Sequence, residues 1–135
     1  DFELSEVELM TLSESREDYL ENLLILETRS GGFVRQVDMA SRMGFFKASI
    51  SKAMSSLSAE GYVEFRPRGL VRLSNGGRKI AERVYDRHCF FFKVLTNLGI
   101  PTEIAQRDAC RMEHAMSEES YQALKKELSS KMDVQ

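Results

Sequence analysis

The sequence predicts a mainly α-helical chain with one small β-hairpin. Residues 1–74 form a helix-turn-helix unit that ends in the hairpin, and residues 75–135 form a second, helical unit. Three observations predict this. Apolar residues recur at helical spacing through most of the chain, and Gly31-Gly32, Gly44, Gly61 and Gly99 punctuate them. Two β-prone runs, Tyr62-Val63-Glu64-Phe65 and Val71-Arg72-Leu73, flank Arg66-Pro67-Arg68-Gly69, which reads as a tight turn. Charge is polarised, with 13 Lys+Arg against 5 Asp+Glu over residues 29–93, and 6 against 16 in the remainder.

Taken in order, Asp1–Glu14 reads as an acidic arm, helical or partly disordered. Ser13 or Ser15 can cap the next helix, with Glu17 and Asp18 in its first turn. Tyr19, Leu20, Leu23, Leu24 and Leu26 give that helix an apolar stripe. Val34–Met43 reads as a short helix broken by Gly44, and Lys47–Ala59 as a third helix that turns Ile50, Ala53, Met54 and Leu57 inward. Helix, glycine turn, helix, then hairpin is a winged helix-turn-helix. Ser74 and Asn75 lead into a long helix from about Gly77 to Leu98. Thr102 is the expected cap of a helix reaching about Met116, and Ser117 of a last one reaching about Leu128, with a frayed end over Lys131–Gln135.

The chain has 135 residues, 42% hydrophobic and 30% charged, a globular composition. Its longest apolar runs, such as Cys89–Phe92, are far too short to span a membrane, and no secretory signal is visible. No membrane partner is therefore expected, and the cytoplasm is the expected location. The first residue is Asp1 rather than Met, so the true start is expected upstream. Cys89 and Cys110 are expected as reduced thiols or ligands rather than a disulfide.

Nucleic acid is the partner that the basic middle suits. A recognition helix must offer polar and basic side chains to the major groove while its other face packs on the domain. Lys47, Ser49, Ser51 and Lys52 can serve that face, and Arg66, Arg68 and Arg72 sit near the wing turn. A helix-turn-helix spacing alone is common in small helical proteins; the hairpin with three arginines is what turns the reading towards double-stranded DNA.

The acidic flanks offer metal donors. Cys110, Glu113 and His114 stand at i, i+3 and i+4, within roughly 100° of one helical face. Asp18 and Glu21 stand at i, i+3 on the first helix, and His88 lies in the middle of the long one. Each has a plainer reading alone: a solvated acidic face, a surface histidine, a small buried cysteine. Together they supply carboxylate, imidazole and thiolate enough for one or two divalent ions. Cys89 directly follows His88 and so points about 100° away, where packing is its expected role.

These residues resemble the diphtheria toxin repressor and manganese transport regulator family of metal-dependent repressors, from about Ser15 to Ala123. Glu17-Asp18-Tyr19-Leu20-Glu21 is similar to the family's first helix, and Val34-Arg35-Gln36-Val37-Asp38-Met39-Ala40 to the helix before its turn. Glu60-Gly61-Tyr62 and Arg68-Gly69-Leu70 are similar to its wing. Asp108-Ala109-Cys110-Arg111-Met112-Glu113-His114, followed by Met116-Ser117, is the most specific match. The resemblance implies that Asp18, Glu21, His88, Cys110, Glu113 and His114 are metal ligands. Asp18 and Glu21 are like the acidic pair of the manganese branch, whereas Cys110 is like the iron branch. Gln106 stands where the iron branch has an ancillary-site histidine, so that second site is not expected, nor is that branch's third, SH3-like domain in so short a chain.

The expected function is a dimeric repressor that binds operator DNA when loaded with Fe(II) or Mn(II) and controls metal-uptake genes. Fe(II) is slightly preferred, because a thiolate favours softer ions, and Co(II), Ni(II) or Zn(II) are expected to bind in vitro. Metal would clamp the helical unit against the DNA-binding one and so fix the spacing of two recognition helices. The homodimer follows from the resemblance and from Phe90, Phe91, Phe92, Val94, Leu95 and Leu98, more apolar residues than one helix face can bury in a monomer. One rival is a winged-helix regulator without a metal switch. The other is an enzyme with a Cys/His/Glu site, but the chain carries no Gly-rich phosphate loop or nucleophile motif and calls for no small organic substrate.

Overall fold

The computed structural model describes residues Glu6–Met132, with side chains from Glu14 onward. Residues 1–5 of the expected acidic arm and 133–135 of the expected frayed end lie outside the described residues. The chain divides into two compact units, one ending at Glu82 and the other beginning at Arg83.

Helix α1 spans Glu6–Ser30 without interruption. Neither Ser13 nor Ser15 therefore caps it. The Glu, Leu and Met residues before them are good helix formers, so the helix begins upstream and Ser13 and Ser15 lie inside it. Leu20 and Leu23 of α1 enter a core shared with Met39, Ile50, Met54, Leu57, Val63, Val71 and Leu73. Glu27 is buried beside them but not idle: it accepts the Leu73 N–H at 3.2 Å and a hydrogen bond from Arg78 at 2.6 Å. A buried carboxylate is tolerated only with such partners, and here it ties α1 to the hairpin and to the helix that follows.

Helix α2 spans Gln36–Met43, two residues later than the sequence predicts. Val34 instead forms a bridge with Val71, exchanging backbone hydrogen bonds of 2.9 Å in both directions. A β-branched residue beside an open strand edge gains more from that ladder than from a helix start. Gly44, left-handed at φ 71°, ends α2, and α3 runs Lys47–Ala59. Ile50, Met54 and Leu57 are buried. Gly61 ends α3 with a Schellman pair: its N–H donates to Ser58 at 3.0 Å and that of Tyr62 to Leu57 at 2.9 Å.

Strands β1 (Val63–Arg66) and β2 (Leu70–Leu73) pair antiparallel, Glu64 opposite Arg72 and Phe65 opposite Val71. Pro67–Gly69 makes the turn, with Arg68 in the left-handed region at a φ of 67°. Helix α4 spans Asn75–Asn97. Ser74 caps it, accepting the Gly77 N–H at 3.1 Å while donating to the Gly61 carbonyl at 2.7 Å. Ala81 of α4 is buried in the first unit's core.

In the second unit, α4 continues to Asn97, α5 spans Thr102–Met112 and α6 spans Glu118–Lys131. Thr102 is the first helical residue rather than the cap; Pro101 holds the cap position with no side-chain hydrogen bond. Ser117 does cap α6, accepting the Ser120 N–H at 3.2 Å. Helix α5 stops about a turn before Met116. Arg87 of α4 explains why: it donates to the carbonyls of Glu113 at 3.2 Å and Met116 at 2.7 Å. Carbonyls that a continuing helix would have used are thus satisfied from outside it. Phe90, Phe91, Ala109 and Tyr121 form the core, with Phe90 meeting both Phe91 and Tyr121 edge-on. Leu98 stays exposed.

Candidate metal centre and nucleic-acid face

The helical unit gathers three of the expected ligands on its own. His88 projects from α4, Cys110 from the last turn of α5, and Glu113 from the residue that closes α5. Nδ1 of His88 lies 2.9 Å from Glu113 Oε2 and 3.7 Å from Cys110 Sγ. One donor atom from each of the three residues lies within 4.8 Å of the others. Glu113 is 1% exposed and His88 half-buried, while the Cys110 thiol reaches the surface. Nitrogen, oxygen and sulfur thus converge around one point with a route in from solvent, which fits a divalent ion with bonds of about 2.0–2.3 Å.

His114 lies just past α5, not on it as the sequence predicts, with Nε2 3.3 Å from Glu113 Oε1. Glu113 keeps helical dihedrals, so its spacing from Cys110 survives the early end of the helix. Asp18 and Glu21 belong to the first unit, on one face of α1; Glu21 is buried and Asp18 partly so. The Asp18 carbonyl accepts from the Asn22 side chain at 2.7 Å. Cys89, expected in packing, is exposed instead, because α4 turns it away from the Phe90–Phe91 core.

Two residues make contacts around the centre that are not expected from the sequence: Gln106, read only as replacing an ancillary-site histidine, and Arg87. Gln106 Oε1 lies 2.7 Å from His88 Nε2. It stands four residues before Cys110, a spacing that places both on one face of α5 and so was available as a signal. Arg87 had no local signal. It is buried, stacks 4.8 Å over Tyr121, and holds the turn that carries Glu113 and His114.

Without metal the cluster holds a proton. Hydrogen bonding to Cys110, then to Glu113, raises the His88 pKa from 6.5 to about 11. The folded value exceeds the unfolded one, so this contribution to stability of the metal-free protein is complete below pH 6.5 and fades as pH rises towards 11. A metal needs the neutral ring and must release that proton. Metal affinity is therefore expected to rise by at least about tenfold per pH unit between pH 6 and 8, one proton coming from His88 and a further one from the Cys110 thiol when it binds as thiolate. Competition titrations with a chelator of known affinity, and proton release into weak buffer, check both the slope and its sign.

On the first unit, Lys47, Ser49, Ser51 and Lys52 all lie exposed on α3, which contains no acidic residue. Arg66 and Arg68 of the hairpin are exposed as well. Arg72 is half-buried, bonded to Glu64 at 2.7 Å, and its guanidinium and that of Arg66 lie 5.7 Å and 5.8 Å from the centre of the Phe33 ring. Phe33 thereby braces the base of the wing.

Residues 11–71 match the iron dependent repressor N-terminal DNA binding domain, and residues 74–131 its metal binding and dimerisation domain. The transcriptional regulator MntR of Escherichia coli O6:H1 is 38% identical over 109 residues, covering 81% of this chain and 70% of that protein. The chain belongs to the diphtheria toxin repressor and MntR family of metal-dependent transcriptional regulators. MntR of Salmonella typhimurium is likewise 38% identical over 109 residues, covering 79% of this chain and 68% of that protein. Among solved structures of the family, the manganese regulator SloR superposes with a TM-score of 0.71 at 22% identity, over 84% of this chain and 53% of that one. T. acidophilum IdeR gives 0.68 at 24% identity, over 91% of this chain and 53% of that one. At such identities the likeness shows the fold, and the chain spans about half the length of these structures. The family's members are regulators, not enzymes. Among the described residues, no helix is long and apolar enough to cross a membrane.

Proposed function

We propose that this protein is a cytoplasmic, metal-activated repressor that binds operator DNA as a homodimer and controls metal-uptake genes. The observation that carries the reading is the convergence of His88, Cys110 and Glu113 in the unit that adjoins a winged helix. A bound divalent cation supplies positive charge that offsets the mutual repulsion of the anionic donors. The ligands, for one or two ions, are His88, Cys110, Glu113 and His114 of the helical unit and Asp18 and Glu21 of α1. Ligands on both units restrict how the winged helix is carried, so that two copies of α3 face half-sites about 34–36 Å apart. Lys47, Ser49, Ser51 and Lys52 meet the major groove, while Arg66, Arg68 and Arg72 bind along the backbone or minor groove. The coupling is reciprocal, so DNA tightens metal binding by the same factor, typically about 1–3 kcal/mol.

The activating ion is Fe(II) or Mn(II). The Cys110 thiolate favours Fe(II) over Mn(II), whereas the hard carboxylates of Asp18 and Glu21, and the name of the MntR relatives, favour Mn(II). Fluorescence anisotropy of DNA from upstream of the protein's own gene, measured without oxygen, tests the whole reading. Binding is expected with Fe(II) or Mn(II) and not with chelator, and the more effective ion identifies the activator. Equal binding in chelator would remove the metal switch and leave a winged-helix regulator.

A further inference from the structure

We propose that Gln106 is a positioning residue for the metal ligand His88, accepting its Nε2–H so that Nδ1 is the nitrogen offered to the ion. This deepens the metal-centre reading and rests on it. An imidazole has two nitrogens, and only one can face the other donors. Here Nδ1 does, at 2.9 Å from Glu113 and 3.7 Å from Cys110, while Nε2 points the other way, 2.7 Å from Gln106 Oε1. An amide oxygen only accepts, so it pairs with a protonated Nε2, and the lone pair of the neutral ring then sits on Nδ1. Gln106 and Cys110 are one turn apart on α5, so a single helix face holds both edges of the ring. Phe92, one turn after His88 on α4, lies parallel to the imidazole within 4°, with centroids 6.5 Å apart.

Ligand histidines are oriented in this way by partners beyond the metal, whose loss typically costs about 10–100-fold in metal affinity. Gln106 is exposed on its helix, so substitutions there leave the core intact. The experiment uses the full chain and Co(II), followed by thiolate-to-cobalt charge-transfer absorption. Gln106→Met, which cannot accept, is expected to weaken Co(II) binding about 10–100-fold while the Cys110 band still appears at saturation. Gln106→Glu, which still accepts, is expected to bind as tightly as the wild type or more tightly. Long-range proton–nitrogen NMR of the Zn(II)-loaded protein is expected to show His88 carrying its proton on Nε2. Wild-type affinity in Gln106→Met, equal weakness in Gln106→Glu, or a proton on Nδ1 would each overturn the proposal. His88→Ala separates the two levels. If it weakens Co(II) binding and Gln106→Met does not, only the positioning role fails. If His88→Ala leaves binding unchanged, the metal-centre reading fails and the proposal with it.

Discussion

Replacing Glu113 with Gln is expected to weaken metal-dependent DNA binding at least about 100-fold in the metal concentration it requires. The amide keeps the shape of the carboxylate but not its charge. Glu113 is the most deeply buried carboxylate of the donor set, 1% exposed against 6% for Glu21, with Oε2 2.9 Å from His88 and Oε1 3.3 Å from His114. It is therefore the anion whose field is least screened by water. Loss of a direct ligand should cost at least about 100-fold in affinity, the upper end for partners beyond the metal. At a metal concentration of about 100 Kd the wild type gains roughly 2.7 kcal/mol of stability, whereas a variant binding 100-fold more weakly gains only about 0.4 kcal/mol. Thermal melting with and without Mn(II) or Co(II) reads that difference independently of DNA. A Glu113→Gln protein that keeps its full metal-induced rise in Tm and its metal-dependent DNA binding would remove this carboxylate from the switch.

Gly77→Ala is expected to destabilise the first unit strongly, against what helix propensity alone would say. In a helix interior Ala is favoured over Gly by about 1 kcal/mol. At Gly77 an added Cβ would sit 2.0 Å from the Tyr62 carbonyl oxygen and 3.3 Å from Leu73. That oxygen is backbone, fixed by the Ser74 N–H at 3.0 Å, so it cannot swing aside as a side chain would. Relief requires α4 to move off the hairpin, an overpacking cost of about 1–3 kcal/mol or more. A unit of this size loses roughly 4–8 °C of Tm per kcal/mol. Gly76→Ala is the control: its Cβ would have no neighbour nearer than 3.8 Å, so its melting point should hold or rise. Melting followed by circular dichroism in chelator compares the two, and a Gly77→Ala protein as stable as Gly76→Ala would contradict the packing described.

What the sequence alone determined is what depends on near neighbours along the chain. The helical periods, the glycine at each sharp turn and the alternation in the hairpin act within a few residues. Hence the helix-turn-helix, the wing and the Ser117 cap were all legible. So were the motif from Asp108 to His114 and the family it marks. The tertiary structure decided whatever a distant group could outbid. Val34 left its expected helix because Val71 offered a strand edge. Helix α5 ended at Met112 because Arg87, from another helix, took the carbonyls beyond it. Gln106 gained its place because His88 turned Nε2 towards it. In each case a backbone or ring group must find a hydrogen-bond partner. Periodicity shows where such groups lie, but only packing brings the partner from a remote part of the chain.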